Sequence, residues 1–109
     1  MRSGIVRVRG IRAGRIEETP EGFRFRYDAD YLARERAVAV SLTLPLRSEP
    51  FESPHLFAFF EGLLSEGSLR SMQSRQYKID EDDSFGFLIR TTSADVIGNV
   101  TVEPEEEGA

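Results

Sequence analysis

The chain has 109 residues, a formal net charge of −5 and no cysteine; this makes one domain by length and excludes disulfides, thiolate metal sites and thiol nucleophiles. The charge is uneven, +3 over residues 1–36 and −8 over residues 37–109, which argues against wholesale wrapping of nucleic acid but leaves a local contact open to the arginine-rich first third. In MRSGIVRVRG the arginines Arg2, Arg7 and Arg9 surround only a short apolar stretch, so neither a signal peptide nor a membrane span is expected there, and the cytoplasm is the expected compartment.

Val6 and Val8 alternate with Arg7 and Arg9, and after Arg9-Gly10 the chain resumes at Ile11, Ala13 and Ile16; this pattern predicts a hairpin with a glycine turn. A second turn at Thr19-Pro20-Glu21-Gly22 leads into FRFRY, where Phe23, Phe25 and Tyr27 face one way and Arg24 and Arg26 the other. The result is a three-stranded antiparallel meander with one apolar face to be covered. In VSLTLPLR, Val40, Leu42, Leu44 and Leu46 alternate with polar residues and Pro45, the pattern of an edge strand or of one leaving the sheet.

The cover is expected from the middle of the chain. Ser53 and Pro54 suit the N-cap and first position of a helix, and Leu56, Phe57, Phe59, Phe60, Leu63 and Leu64 follow at helical spacing. Gly67 ends this helix or links it to a second one striped by Leu69, Met72, Gln76 and Ile79. The acidic run Asp80 to Asp83 precedes a third, with Phe85, Leu88 and Ile89 inward and carboxylates at the positive end of the helix dipole. Val96, Val100 and Val102 suggest a last strand before Pro104. The expected class is α+β: a small antiparallel sheet, the N-terminal meander plus late strands, packed by about three helices. Residues 1–104 form the single domain and residues 105–109 an acidic, frayed tail.

Tests for chemistry fail one after another. His55 is the only histidine, so neither a multi-histidine metal site nor a second histidine for a triad exists. Asp80, Asp82 and Ser84 imitate the start of a calcium loop, but Phe85 stands at its glycine position and Thr91 at its closing glutamate. Asp83-Ser84-Phe85-Gly86 only superficially resembles the kinase Asp-Phe-Gly motif, without a glycine-rich phosphate loop or a His-Arg-Asp loop upstream. Asn99-Val100-Thr101 matches a glycosylation acceptor, for which chance is the default reading. Neither a metal nor any other cofactor is expected, and no enzymatic activity. Arg7, Arg9, Arg24 and Arg26 lie opposite the apolar face, where they form a basic face for phosphates or carboxylates, or solvate the sheet and pair with Glu17 and Glu18.

The hairpin, YDADYLARERAVAVSLTLPLR, the aromatic segment HLFAFFEGLLSEG and the closing DVIGNVTVEP, taken in this order, resemble the small N-terminal subdomain of HipA-type serine/threonine kinases, the toxins of bacterial toxin–antitoxin systems. The resemblance covers nearly the whole chain and implies that the strand leaves the meander at the proline and feeds the helix above it. The chain stops where the kinase core would begin, so the resemblance further implies a free-standing module. It would be similar to HipS-type antitoxins, docking on a HipA-like kinase that is a separate chain and inhibiting or completing it, with a HipB-like helix-turn-helix protein as a further partner. Candidate partner-binding residues are Phe59, Phe60, Glu66, Gly67, Ser68 and Arg70. Related stand-alone chains often read Pro-Glu-Gly-Trp where this one has Ser65-Glu66-Gly67-Ser68, and Ser68 cannot supply a large aromatic anchor. The alternative is a DNA-associated accessory subunit acting through the arginine face; direct DNA binding by this chain alone is not expected.

Overall fold

A computed structural model describes residues 1–64, 67–91 and 100–105. The expected hairpin and meander are present: β1 (Ser3–Val8), β2 (Ile11–Thr19) and β3 (Gly22–Tyr27) pair antiparallel in sequence order. Arg9 and Gly10 both take positive φ, 51° and 82°, as a two-residue turn matched to strand twist requires. A register shift between Val6 and Arg7 marks a bulge in the β1–β2 ladder. A one-turn helix, α1 (Ala29–Leu32), follows β3. The sheet is completed by β4 (Phe51–Ser53) beside β3 and β5 (Val100–Pro104) beside β1, in the order β4-β3-β2-β1-β5 with every pairing antiparallel. Three further helices, α2 (Ala58–Glu61), α3 (Gly67–Tyr77) and α4 (Ser84–Thr91), make this an α+β domain. Val96 and Asn99 lie outside the described residues, and no helix among those described is long and apolar enough to cross a membrane.

Two expectations are corrected. Residues 40–46 are not a strand: Leu44 N–H bonds to Ser41 O at 3.0 Å and the Ser41 hydroxyl accepts Thr43 N–H, closing a tight turn. The hydroxyl of the buried Tyr27 fixes this turn, accepting Val40 N–H at 2.9 Å and donating to Leu44 O. Val40 and Leu44 are therefore buried while Leu42 stands fully exposed at the tip; local side-chain to backbone bonds outcompete the sheet ladder. The edge strand is β4 instead. Ser53 pairs with Phe23 in it, and its hydroxyl accepts His55 N–H in a turn rather than capping a helix. The aromatic segment accordingly makes a single helical turn, α2, whose N-cap position is Phe57. Leu56, Phe60 and Leu64 are all buried, because a spacing of four meets the core as well from turn and coil as from a continuous helix.

The core lies between the inner face of the sheet and helices α2 and α4. Val6, Ile16, Phe25 and Val102 come from the strands, and Phe60, Phe85 and Leu88 from the helices. Phe25 is the centre of an aromatic cluster with Tyr27, Phe51 and Phe60 at ring-centroid distances of 4.9, 6.2 and 5.7 Å. Asp83 caps α4, its carboxylate accepting Gly86 N–H at 3.0 Å and its carbonyl the first helical bond from Phe87. Arg2 grips the same carboxylate at 2.7 Å and Glu18 at 2.9 Å, tying the N-terminus, β2 and α4 together. These bonds hold both carboxyls below their ordinary range and push the guanidinium further up.

Helix α3 departs from its expected stripe. Leu69 and Met72 are exposed, no residue of the helix is fully buried, and Ile79, buried, lies beyond its end. The helix stops at Lys78, whose φ of 56° is left-handed, and Ile79 N–H returns to Ser74 O at 3.0 Å, the closing bond of a Schellman cap. Glu105, assigned by the sequence to the frayed tail, is held by its N–H to Ser3 O at 3.1 Å and by its carboxylate to Ser3 and Arg15; residues 106–109 lie outside the described residues.

Candidate functional site

Adjacent on α2, Phe59 and Phe60 occupy different environments. Phe60 is completely buried against Phe25, whereas Phe59 is half-buried and meets the Phe60 ring edge-on at 5.3 Å. Phe59, like Phe57, is thus an aromatic at the rim of the core. Glu66 lies outside the described residues. Gly67 and Ser68 are exposed at the start of α3, Gly67 with a left-handed φ of 61° and open space about its Cα. Arg70, one turn on, works within the fold. It donates to Glu81 O through two nitrogens, at 2.9 and 2.6 Å, and its guanidinium covers the Phe87 ring at 4.5 Å. Phe87 itself is fully buried in the core cluster, and the Arg70–Phe87 pairing is not legible in the sequence because it spans a loop.

The four arginines expected to form a basic face do not act together. Arg9 sits in the hairpin turn, exposed. Arg24 lies between Glu52 of β4 and Glu17 of β2, at 3.2 and 3.3 Å. Glu17 reaches Arg15 at 3.0 Å, Arg15 reaches Glu105, and Arg7 pairs with Glu103 of β5 at 2.8 Å. A ladder of alternating charge therefore crosses the outer face from edge to edge, and of the four expected residues only Arg26 on that face has no carboxylate partner among the described residues. Such a face is solvated and charge-balanced, a poor attractor of phosphates. Ile5 lies within it, buried between its cross-strand neighbours Arg15 and Glu103.

No group of acidic or histidine side chains that could hold a metal ion occurs among the described residues. A cleft of about 650 Å³ is bordered by Arg2, Asp83, Lys78, Arg90 and Glu105; charges of both signs line it, and the Arg2–Asp83–Glu18 bonds lie along it.

Comparison with known proteins agrees with this architecture. The family model described as the HipA N-terminal domain matches residues 4–103. A solved structure, the N-terminal domain of HipA toxin, superimposes with a TM-score of 0.74 at 33% identity, covering 98% of this chain and 95% of that one. An uncharacterized protein of Haemophilus influenzae is 34% identical over 107 residues, 98% of this chain and 96% of its own length. The putative kinase Y4mE of Sinorhizobium fredii is 32% identical over 83 residues, which are 76% of this chain but 20% of the kinase.

Proposed function

The chain belongs to the HipA N-terminal domain family, and from that membership we propose that it is a non-enzymatic binding module of a bacterial toxin–antitoxin system, docking on a separately encoded HipA-like serine/threonine kinase and inhibiting or completing it. The observation that carries this reading is the contrast between two relatives. In the putative kinase the matching segment is one fifth of the protein, whereas in the Haemophilus protein it is nearly all of it. The same fold is thus part of a kinase-sized chain in one case and a protein of its own in the other, the relation expected of a module that works on a kinase core supplied in cis or in trans. The half-buried Phe59 on α2 and the exposed Gly67 and Ser68 at the start of α3 support docking through these two helices. Ser68 there offers a hydrogen-bonding hydroxyl instead of an aromatic anchor, so affinity must come from Phe59 and the surrounding surface. We place the module in the cytoplasm, in keeping with the absence of cysteine. The charge-balanced sheet face does not favour the DNA-associated alternative.

The experiment is co-expression with the HipA-like kinase encoded nearby, affinity capture through a tag on this chain, and a phosphoryl-transfer assay with and without it. A stoichiometric complex with altered kinase activity is expected. Two folded proteins that do not associate would overturn the proposal, as would ATP-dependent phosphoryl transfer that tracks with this chain alone.

A further inference from the structure

Away from α2 and α3, the β1–β2 hairpin and the loop after α1 enclose a second pocket of about 440 Å³. Its floor is apolar: Tyr31 is buried, and Ile11 and Val38 remain 38% and 48% exposed. Its rim carries Arg9, Arg34 and Arg36, all exposed, with Glu35 as the one rim carboxylate. On the two strands of this hairpin Arg7, Arg12 and Arg15 each find a carboxylate. The three rim guanidiniums have no ion-pair partner among the described residues.

The walls are set in advance. The Tyr31 hydroxyl donates to Val38 O at 2.8 Å and accepts Val38 N–H at 3.3 Å. Arg34 N–H bonds to Tyr31 O and Ala37 N–H to Arg34 O, while the Arg7 guanidinium braces the hairpin turn through Gly10 O. Stacking of Tyr31 on Tyr27, with centroids 6.1 Å apart and rings 7° from parallel, joins this loop to the core. A ligand would therefore meet a formed site, with little ordering cost beyond the arginine side chains.

We propose that this pocket binds an acidic segment of a protein partner, its carboxylates paired with Arg9, Arg34 and Arg36 and an apolar side chain seated on Ile11 and Val38. Charge complementarity selects the anion, since three guanidiniums without an ion pair among the described residues face the pocket against a single rim carboxylate, Glu35. The apolar floor selects a peptide over a nucleic acid: the Tyr31 ring is covered, so no aromatic face is open for base stacking. The site contains no residue of α2 or α3 and does not depend on the kinase being the partner.

The test uses the full chain and a fluorescein-labelled peptide of sequence Asp-Glu-Asp-Phe-Asp-Glu, followed by fluorescence anisotropy. Its amide counterpart, Asn-Gln-Asn-Phe-Asn-Gln, and an oligo-dT strand serve as competitors. Saturable binding is expected, weakened about tenfold or more in the Arg34→Ala/Arg36→Ala double variant, reduced by added salt, and weakened in Val38→Ser without change in its salt dependence. The replaced side chains are exposed or half-exposed, so unchanged thermal melts are expected to separate lost binding from lost fold. Absence of saturable binding, equal affinity for the double variant, or equal competition by the amide peptide would overturn the proposal; stronger competition by oligo-dT would reassign the surface to nucleic acid.

Discussion

Replacing Phe60 by alanine is expected to cost about 3–5 kcal/mol, and replacing its neighbour Phe59 only about 1–2 kcal/mol. Phe60 is 0% exposed, with its ring between Phe25, Phe57 and Phe59 at centroid distances of 5.7, 6.2 and 5.3 Å. Burying the ring beyond what alanine buries accounts for about 2–3 kcal/mol at about 25 cal/mol per Å², and the cavity left among three rigid aromatics adds about 1–2 kcal/mol. Phe59 is half-buried, so its truncation removes part of the transfer energy and leaves an opening that solvent can fill. With each kcal/mol moving the midpoint of a domain of this size by roughly 4–8 °C, Phe60→Ala should melt about 12–40 °C below the wild type and Phe59→Ala about 4–16 °C below. Circular-dichroism melts measure both, and capture of the co-expressed kinase measures the second half of the argument: Phe59→Ala should remain folded yet bind more weakly. Equal, large losses of melting temperature in the two variants would refute the division between core and rim, and the docking surface would then have to be sought elsewhere.

Three other perturbations probe the devices that hold the fold. Tyr27→Phe leaves Val40 N–H and Leu44 O without their buried partner and should cost about 2–4 kcal/mol, with amide exchange at Val40 accelerating more than at Ile16. Gly22→Ala places a Cβ 2.2 Å from Ser53 O at a φ of 149°, so it should cost at least about 2 kcal/mol and loosen β4, read as loss of amide protection at Phe51 and Ser53. Asp83 and Glu18 have carboxyl pKa values lowered by hydrogen bonds from Arg2. Their contribution is therefore complete above the unfolded carboxyl range of about 4 and is lost as pH falls through the lower folded values. Stability should decline on acidification below about pH 5, and Arg2→Gln, expected to cost about 1 kcal/mol at neutral pH because the partners are partly exposed, should flatten that decline.

Much of this protein was written in local sequence. Alternation in Val6–Val8 and Phe23–Tyr27 and the Arg9-Gly10 turn specify the meander, because a period of two and a left-handed turn are properties of neighbouring residues. The acidic run ending at Asp83 ahead of Phe85, Leu88 and Ile89 likewise specifies α4, although only the structure identifies Asp83 as its cap. Family membership was legible as well, since it rests on the order of such segments. What alternation could not convey is that the Tyr27 hydroxyl, 13 residues upstream of Val40, converts VSLTL into a turn. Nor could it show that β3 draws Ser53 into an edge strand and so shortens the aromatic helix to one turn. The same limit applies to the surfaces. A run of arginines reveals charge but not its partners, and only the sheet order brings Glu17, Glu52 and Glu103 against Arg24 and Arg7 while leaving Arg9, Arg34 and Arg36 around an apolar floor. Periodicity reports which residues prefer burial; which polar atoms satisfy one another is decided by strand order and loop closure across the sheet, and that pairing is a property of the tertiary structure alone.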